Sequence, residues 1–318
     1  MKITLHLITA LMALFCLTSC KTPEDVETGP FTISVIEKNV YHIQDYNSSY
    51  PAGEVIDAEG KTTHFNNCSD IYLIVGGTKA LLIDLSNRIR WAENAEESLR
   101  QLVAERIEGK ELTITFTHNH GDHIGMLKAY IDDPSVHFAL PEADFSRLAQ
   151  RFPEAQSEFF NEGRIFDLGG MKVEAIAVPG HTDGSMVFYL HGKDLLFTGD
   201  AIGSGHGVWI FNADGFHKYA SAIPHLISWI NNPENGVNVN KLRIYGGHYW
   251  QRDWLPELEG KELGMSYINE MQELINQIKA GTASKKPSGL GRADLDTYFR
   301  NGSAIITWNA AQAEAYSK

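Results

Sequence analysis

Thr117-His118-Asn119-His120-Gly121-Asp122-His123 places three histidines and an aspartate within six residues. The run before it, Leu112–Thr117, is β-rich, and Ile124–Ile131 after it reads as helical, so the cluster falls at a strand end and a helix start. In an extended segment His118 and His120 project to the same side, because strand side chains alternate. Asp122 and His123 then fall on the first helical turn, where the backbone can return both toward the same pocket. Several imidazoles this close repel one another when protonated, so something must reward the arrangement. Neutral imidazoles converging with a carboxylate suit a borderline cation such as Zn²⁺.

Working outward, strand-like and helix-like segments interleave along the chain. Ile33–Ile43 alternates as a strand, and Ile71–Val75 and Ala80–Asp84 flank Gly76-Gly77 as a hairpin. Residues 91–107 carry Trp91, Ala95, Leu99, Leu102, Val103 and Ile107 at helical spacing. Val136–Leu140, Lys172–Val178, Ser185–Leu190, Leu195–Thr198, Leu242–Tyr245 and Ser303–Trp308 read as strands, and 216–230 and 264–279 as amphipathic helices. The polar, Gly-, Ser- and Pro-rich spans 47–66 and 281–299 read as loops or insertions, the first a candidate lid. This mixture predicts one layered α/β domain.

Four further groups end strands in the same manner. Val178-Pro179-Gly180-His181-Thr182-Asp183-Gly184-Ser185 turns sharply and presents His181 at a sheet rim; Phe197-Thr198-Gly199-Asp200 ends an apolar strand on a carboxylate with two oxygens to share. Tyr245-Gly246-Gly247-His248 and Leu81-Leu82-Ile83-Asp84 complete the set. Together with His118-Asn119-His120-Gly121-Asp122-His123, these resemble, in order and spacing, the motifs of the metallo-β-lactamase superfamily. The resemblance covers roughly residues 33 to 250. It implies a four-layer αβ/βα sandwich of two mixed β-sheets flanked by helices.

The resemblance also implies a role for each residue. His118, His120 and His181 hold one metal, Asp122, His123 and His248 a second, and Asp200 bridges them. The cofactors are then two divalent ions, zinc first, with iron or manganese as alternatives. A hydroxide between them is the nucleophile, Asp122 orients it and relays a proton as the catalytic carboxylate, and Asp84 supports the ligands from outside. Ser204, His206, Trp209, Tyr249 and Trp250 are candidate substrate contacts.

Departures narrow the activity within that family. Antibiotic-hydrolysing members usually carry Cys or a non-ligand where Asp200 stands, and flavodiiron members replace a histidine that His120 retains. The expected function is hydrolysis of an ester, thioester or lactone of a small molecule. A phosphodiester or sulfate ester hydrolase, an iron persulfide dioxygenase-like enzyme and a non-catalytic metal-holding binding protein are the alternatives.

The 27 Lys+Arg against 40 Asp+Glu give a net charge of -13, which excludes nucleic acid as a main partner. At the other end of the chain, Lys2 precedes an apolar stretch over residues 4–17 that is too short to span a bilayer well. It ends in Leu17-Thr18-Ser19-Cys20, which resembles the lipobox of bacterial lipoproteins and implies lipidation of Cys20. The expected organisation is a signal peptide over 1–19, a tether over 20–30 and a single hydrolase domain over 31–318. This expects a lipid-anchored, extracytoplasmic protein of the bacterial cell envelope, touching the membrane only through its anchor. Cys68 is then the one remaining thiol, expected to be buried and inert.

Overall fold

Along the chain run β1 (Val26–Thr28), β2 (Phe31–Glu37), β3 (Val40–Asp45), β4 (Gly53–Ile56), β5 (Thr62–Phe65), β6 (Ile71–Val75), β7 (Lys79–Ile83), α1 (Ala95–Ile107), β8 (Glu111–Thr115), β9 (Val136–Pro141) and the single turn α2 (Glu142–Phe145). There follow β10 (Ser157–Phe160), β11 (Ile165–Asp167), β12 (Lys172–Ala177), β13 (Met186–Leu190), β14 (Leu195–Gly199), β15 (Val208–Trp209), α3 (Ala213–Asn231), β16 (Arg243–Gly246), α4 (Met265–Lys279), β17 (Ser284–Pro287), β18 (Thr297–Asn301), β19 (Ala304–Trp308) and α5 (Ala310–Tyr316). The structure, a computed structural model, describes residues 26–45, 53–56, 62–65, 69–90, 92–204, 207–248 and 262–318. Expectations for the leader, Cys20, Cys68, Trp91, His206, Tyr249 and Trp250 lie outside the described residues. No helix among the described residues is long and apolar enough to cross a membrane.

Two-residue periodicity sorts the strands into layers. On β6, Ile71, Leu73 and Val75 pack with Leu99, Leu102 and Val103 of α1, while Tyr72 and Ile74 face the other way. On β13, Phe188 and Leu190 meet Tyr72 and Ile74 in that inner layer, while Val187 and Tyr189 face α3 and α4. Each sheet thus buries both faces, which is why β6 and β13 read as unbroken apolar runs. The order is helix, sheet, sheet, helices, the four-layer α/β sandwich of the metallo-β-lactamase fold.

Both large sheets are mixed. The eight-stranded sheet runs β1-β2-β3-β6-β7-β8-β9-β10 and the five-stranded sheet β11-β12-β13-β14-β16. Pairing is antiparallel until β7 meets β8, and until β14 meets β16, where it becomes parallel. Parallel neighbours bring their carboxyl ends to one edge, the edge at which open α/β sheets bind ligands. Ile83 is level with Thr115, so Asp84 emerges beside the His118 loop. Gly199 is level with Gly246, so Asp200 emerges beside His248.

Four segments depart from the sequence reading. Ile33–Ile43 is two strands, turned at Asn39, whose φ of 66° is left-handed. Ile124–Ile131 is not a helix; only Leu127–Ala129 makes one 3₁₀ turn. Its backbone bonds instead to the chain after β7, through Leu85 N–H to His123 O (2.7 Å), Gly125 N–H to Ser86 O (2.7 Å) and Met126 N–H to Leu85 O (3.1 Å). A Cβ on Gly125 would lie 2.2 Å from Arg88 N, so only glycine permits this approach. Asp122 and His123 therefore sit on a turn, closed by His123 N–H to His120 O at 3.0 Å, and not on a helix.

The span 281–299, read as a loop, contains β17 and the start of β18 in a third sheet ordered β15-β19-β18-β17. The span 47–66 contains the antiparallel pair β4 and β5.

Candidate metal centre

Every side chain expected at the centre comes from a strand end on the shared edge. Their potential ligand atoms form two groups, His118, His120, His181 and Asp200, and then Asp122, His123 and His248; within each group the atoms lie within 4.8 Å of one another. Asp200 faces both. Its Oδ2 lies 3.5 Å from His181 Nε2 and 4.0 Å from His118 Nε2, while its Oδ1 lies 3.4 Å from both His123 Nε2 and His248 Nε2. Asp122 Oδ2 is 3.6 Å from His248 Nε2.

Hydrogen bonds on the far side of each ring decide which nitrogen looks inward. His181 donates Nδ1–H to the Trp209 carbonyl (2.9 Å) and His123 donates Nδ1–H to Asp84 Oδ2 (2.9 Å). Thr117 Oγ1 donates to the same Asp84 oxygen at 2.7 Å, which leaves it free to accept from His118 Nδ1–H at 3.0 Å. All three imidazoles are thereby fixed with Nε2 directed into the centre, as a lone pair wherever the ring is neutral. Asp84 also takes the Thr117 backbone N–H at 2.7 Å, so one buried carboxylate organises both strand ends.

The chain must come unusually close to itself here. Gly199, at φ 50°, has no room for a Cβ, which would lie 2.3 Å from Thr117 Oγ1. At Gly247 a Cβ would sit 2.7 Å from both Asp200 Oδ1 and His123 Cε1.

The residues present fit metal ions. His118 Nε2 and His123 Nε2 are buried and lack a hydrogen-bond partner among the described residues, a condition that costs about 1–3 kcal/mol per group when nothing fills it. His120 Nδ1 and His181 Nε2 approach to 2.9 Å, two ring nitrogens aimed at one point. Charges follow the same division. Burial, with the neighbouring histidines, holds His118 well below its usual pKa; His181 is lowered chiefly by burial, and His120 falls to about 4 through burial and His181. At the other end burial also opposes protonation, but Asp200 and Asp84 outweigh it at His123, which is raised, and Asp200 and Asp122 raise His248 to about 9. Asp200, despite its burial, is held well below the usual carboxylate range by His248 and His123.

The centre opens into a cleft of about 710 Å³, lined in part by His120, Asp122, Trp209, Phe211, Leu290 and Arg292. That volume suits a small molecule. Trp209 lines it. Ser204 also lines it, but its hydroxyl lies 3.0 Å from Asp200 Oδ1 and 3.1 Å from the Gly199 carbonyl, so it steadies the shared carboxylate.

Sequence reasoning passed over Asp144, Leu290 and Arg292. Asp144 accepts from Asn119 N–H (3.1 Å), Thr182 Oγ1 (2.7 Å) and Gly184 N–H (2.7 Å), joining the His118–His120 loop to the His181 loop. Burial raises its pKa although all three donors favour the anion. Phe211 stands 5.4 Å from the His181 ring and 5.7 Å from that of His120.

Residues 69–223 form a metallo-β-lactamase superfamily domain, matching the pattern of the Metallo-beta-lactamase superfamily. The match takes in every residue of both groups except His248. An atrochrysone carboxyl ACP thioesterase of Claviceps purpurea is 32% identical over 140 residues, 44% of this chain and 41% of the relative. One of the same name from Aspergillus fumigatus is 30% identical over 178 residues, 55% of this chain and 53% of the relative. The chain thus spans about half the length of these curated relatives. Among solved structures, a metallo-beta-lactamase from Pontibacter korlensis superposes with a TM-score of 0.54 over 77% of this chain and 99% of its own, at 19% identity. One from Erythrobacter litoralis gives 0.53 over 80% and 100%, at 16% identity. At those identities the likeness concerns the fold.

Proposed function

We propose that this metallo-β-lactamase superfamily domain is a binuclear metal-dependent hydrolase of acyl esters, thioesters or lactones. The observation that carries the reading is the placement of Asp200 between two groups of inward-facing ligand atoms at the floor of a cleft of small-molecule size. His118, His120, His181 and Asp200 would hold one divalent cation, and Asp122, His123, His248 and Asp200 the other. Such cations supply Lewis acidity, acidifying a water and polarising the carbonyl of the substrate.

The chain's own groups do the remainder. Asp84, Thr117 and the Trp209 carbonyl hold the ring protons of His123, His118 and His181 away from the centre. Asp122, part-exposed in the cleft, is the carboxylate placed to take a proton from water and pass it to the leaving group. Trp209, Phe211 and Leu290 give an apolar wall that keeps bulk water from the acyl group. The thioesterase names of two relatives favour a thioester over the other acyl classes.

Elemental analysis of protein reconstituted with zinc, iron or manganese, followed by a panel of nitrophenyl esters, acyl thioesters, lactones and bis-nitrophenyl phosphate, tests this. Close to two metals per chain and turnover confined to the acyl substrates are expected. Less than half an equivalent of metal, or turnover of the phosphodiester alone, overturns it. Zinc is the proposed occupant.

The lipobox-like Leu17-Thr18-Ser19-Cys20 supports attachment to the bacterial cell envelope through Cys20. Intact mass of the protein purified from membranes should show a lipidated N-terminal Cys20. A full-length protein retaining residues 1–19 in the soluble fraction contradicts that placement.

A further inference from the structure

We propose that Arg292 determines specificity at this site by receiving an anionic group, carboxylate or phosphate, that the substrate carries away from the bond being cleaved. The inference rests on the hydrolase reading and deepens it. Arg292 is the only Lys or Arg among the described residues lining the cleft; the histidines there, His120, His181 and His248, belong to the metal centre, and the acids are Asp122 and Asp200. Its guanidinium carbon lies 5.5 Å from the centre of the Phe211 ring and 5.8 Å from that of Trp209. Phe211 in turn touches the His181 and His120 rings. One aromatic ring therefore separates the guanidinium from the metal centre, which sets the spacing between the scissile carbonyl and the anion.

The guanidinium is oriented but not used up. Arg292 Nε and Nη2 donate to the two oxygens of Asp294 at 3.1 and 2.7 Å, leaving Nη1 without a partner among the described residues. The pair is exposed, 48% at Arg292 and 39% at Asp294, so its own contribution to stability is small. The supporting loop is tied down by Ser288 N–H to Asp296 O at 2.8 Å and by the buried Leu295. A planar fork on a tethered loop, above an aromatic wall, suits an oxyanion better than a point charge does. Neutral substrates leave this cation idle.

Three nitrophenyl esters of matched chain length test the proposal: one with a carboxylate-terminated acyl chain (glutarate), one phosphate-terminated and one neutral (valerate). The protein is expected to prefer one or both anionic esters, and the better of the two identifies the oxyanion. In Arg292→Gln the anionic-to-neutral ratio of kcat/KM should fall about 10- to 100-fold, the range of a hydrogen bond to a charged group; Arg292→Lys should recover part of it. A ratio unchanged in Arg292→Gln overturns the proposal, because a merely structural role would lower all three substrates together.

Glutarate and inorganic phosphate binding to the protein as isolated, followed by tryptophan fluorescence, supplies a readout without turnover. One of the two should bind several-fold more weakly to Arg292→Gln, and equal binding of both to the variant counts against Arg292. Failure of the wild type to cleave any of the esters would break the hydrolase reading, leaving this binding difference to decide the arginine's role.

Discussion

At one end of the centre, three imidazoles face each other around Asp200 Oδ2; at the other, two imidazoles stand among Asp84, Asp122 and Asp200 Oδ1. The residue types are alike and the electrostatics are opposite. Buried histidines, crowded together without enough carboxylate to offset their burial, lose their protons, so His118, His120 and His181 are lowered. Histidines each set against acids keep them, so His123 and His248 are raised. The first end presents lone pairs ready for a cation, whereas the second must release protons to take one. Whether an imidazole is a waiting ligand or a stored proton is thus set by the count of neighbouring carboxylates.

The severest way to break that contrast is to remove the group both ends share. Asp200→Asn should lower kcat by at least about 100-fold, beyond what outer hydrogen-bond partners of ligands usually cost. Metal content should fall from near two per chain to one or fewer, and in the metal-free protein the His248 imidazole should titrate well below its present position, since Asp200 does most to raise it. Full retention of both metals in Asp200→Asn would show that the two ends are independent. Elemental analysis and NMR titration of the imidazoles check these outcomes.

Smaller effects should separate the ends. Asp84→Asn keeps the shape but weakens the acceptor for His123 Nδ1–H, so affinity should drop about 10- to 100-fold, chiefly at the Asp122/His123/His248 end. Asp144→Asn instead loosens the joint between the Asn119 and Thr182 loops, so a loss at the low end of that range should fall on the His118/His120/His181 end. Competition with a chelator of known affinity, metal by metal, distinguishes them. If both variants weaken the same end, the division of the supporting carboxylates is wrong.

The difference between these two aspartates also shows what a sequence reveals. Asp84 ends the apolar run Leu81-Leu82-Ile83 and His118 follows a similar run, so resemblance to the superfamily's motifs was enough to bring the two together; their parallel pairing appears only in the fold. Asp144 lies on a one-turn helix, 21 residues beyond the nearest ligand, His123, and only tertiary contact gives it meaning. Arg292 was hidden for a related reason. Its loop is flanked by β17, an exposed edge strand of Ser284-Lys285-Lys286-Pro287 without apolar alternation, which reads as loop. The third sheet nevertheless reaches the centre. Val208 and Trp209 pair with Ile306 and Thr307, which holds the carbonyl that orients His181. The helix expected over Ile124–Ile131 failed because propensity lost to the backbone bonds offered by Leu85 and Ser86.

The mildest test uses stability in place of activity. In chelator-treated protein the lowered histidines bind protons more readily when unfolded, so they remove stability as pH falls from 6.5 toward the value of about 4 at His120. His248 behaves oppositely: its contribution is complete below 6.5 and is lost as pH rises through about 9. The two ends therefore squeeze the metal-free protein from both sides, and its Tm should peak near pH 6.5, the ordinary histidine value. His248→Gln should flatten the alkaline flank by a few degrees and leave the acid flank standing, while His120→Gln does the reverse. Metal should suppress both slopes at neutral and alkaline pH, because bound ligands no longer exchange protons with solvent. A Tm that climbs steadily from pH 5 to 9 without metal would mean that the carboxylates do not hold the second end protonated, and the contrast between the two ends would collapse.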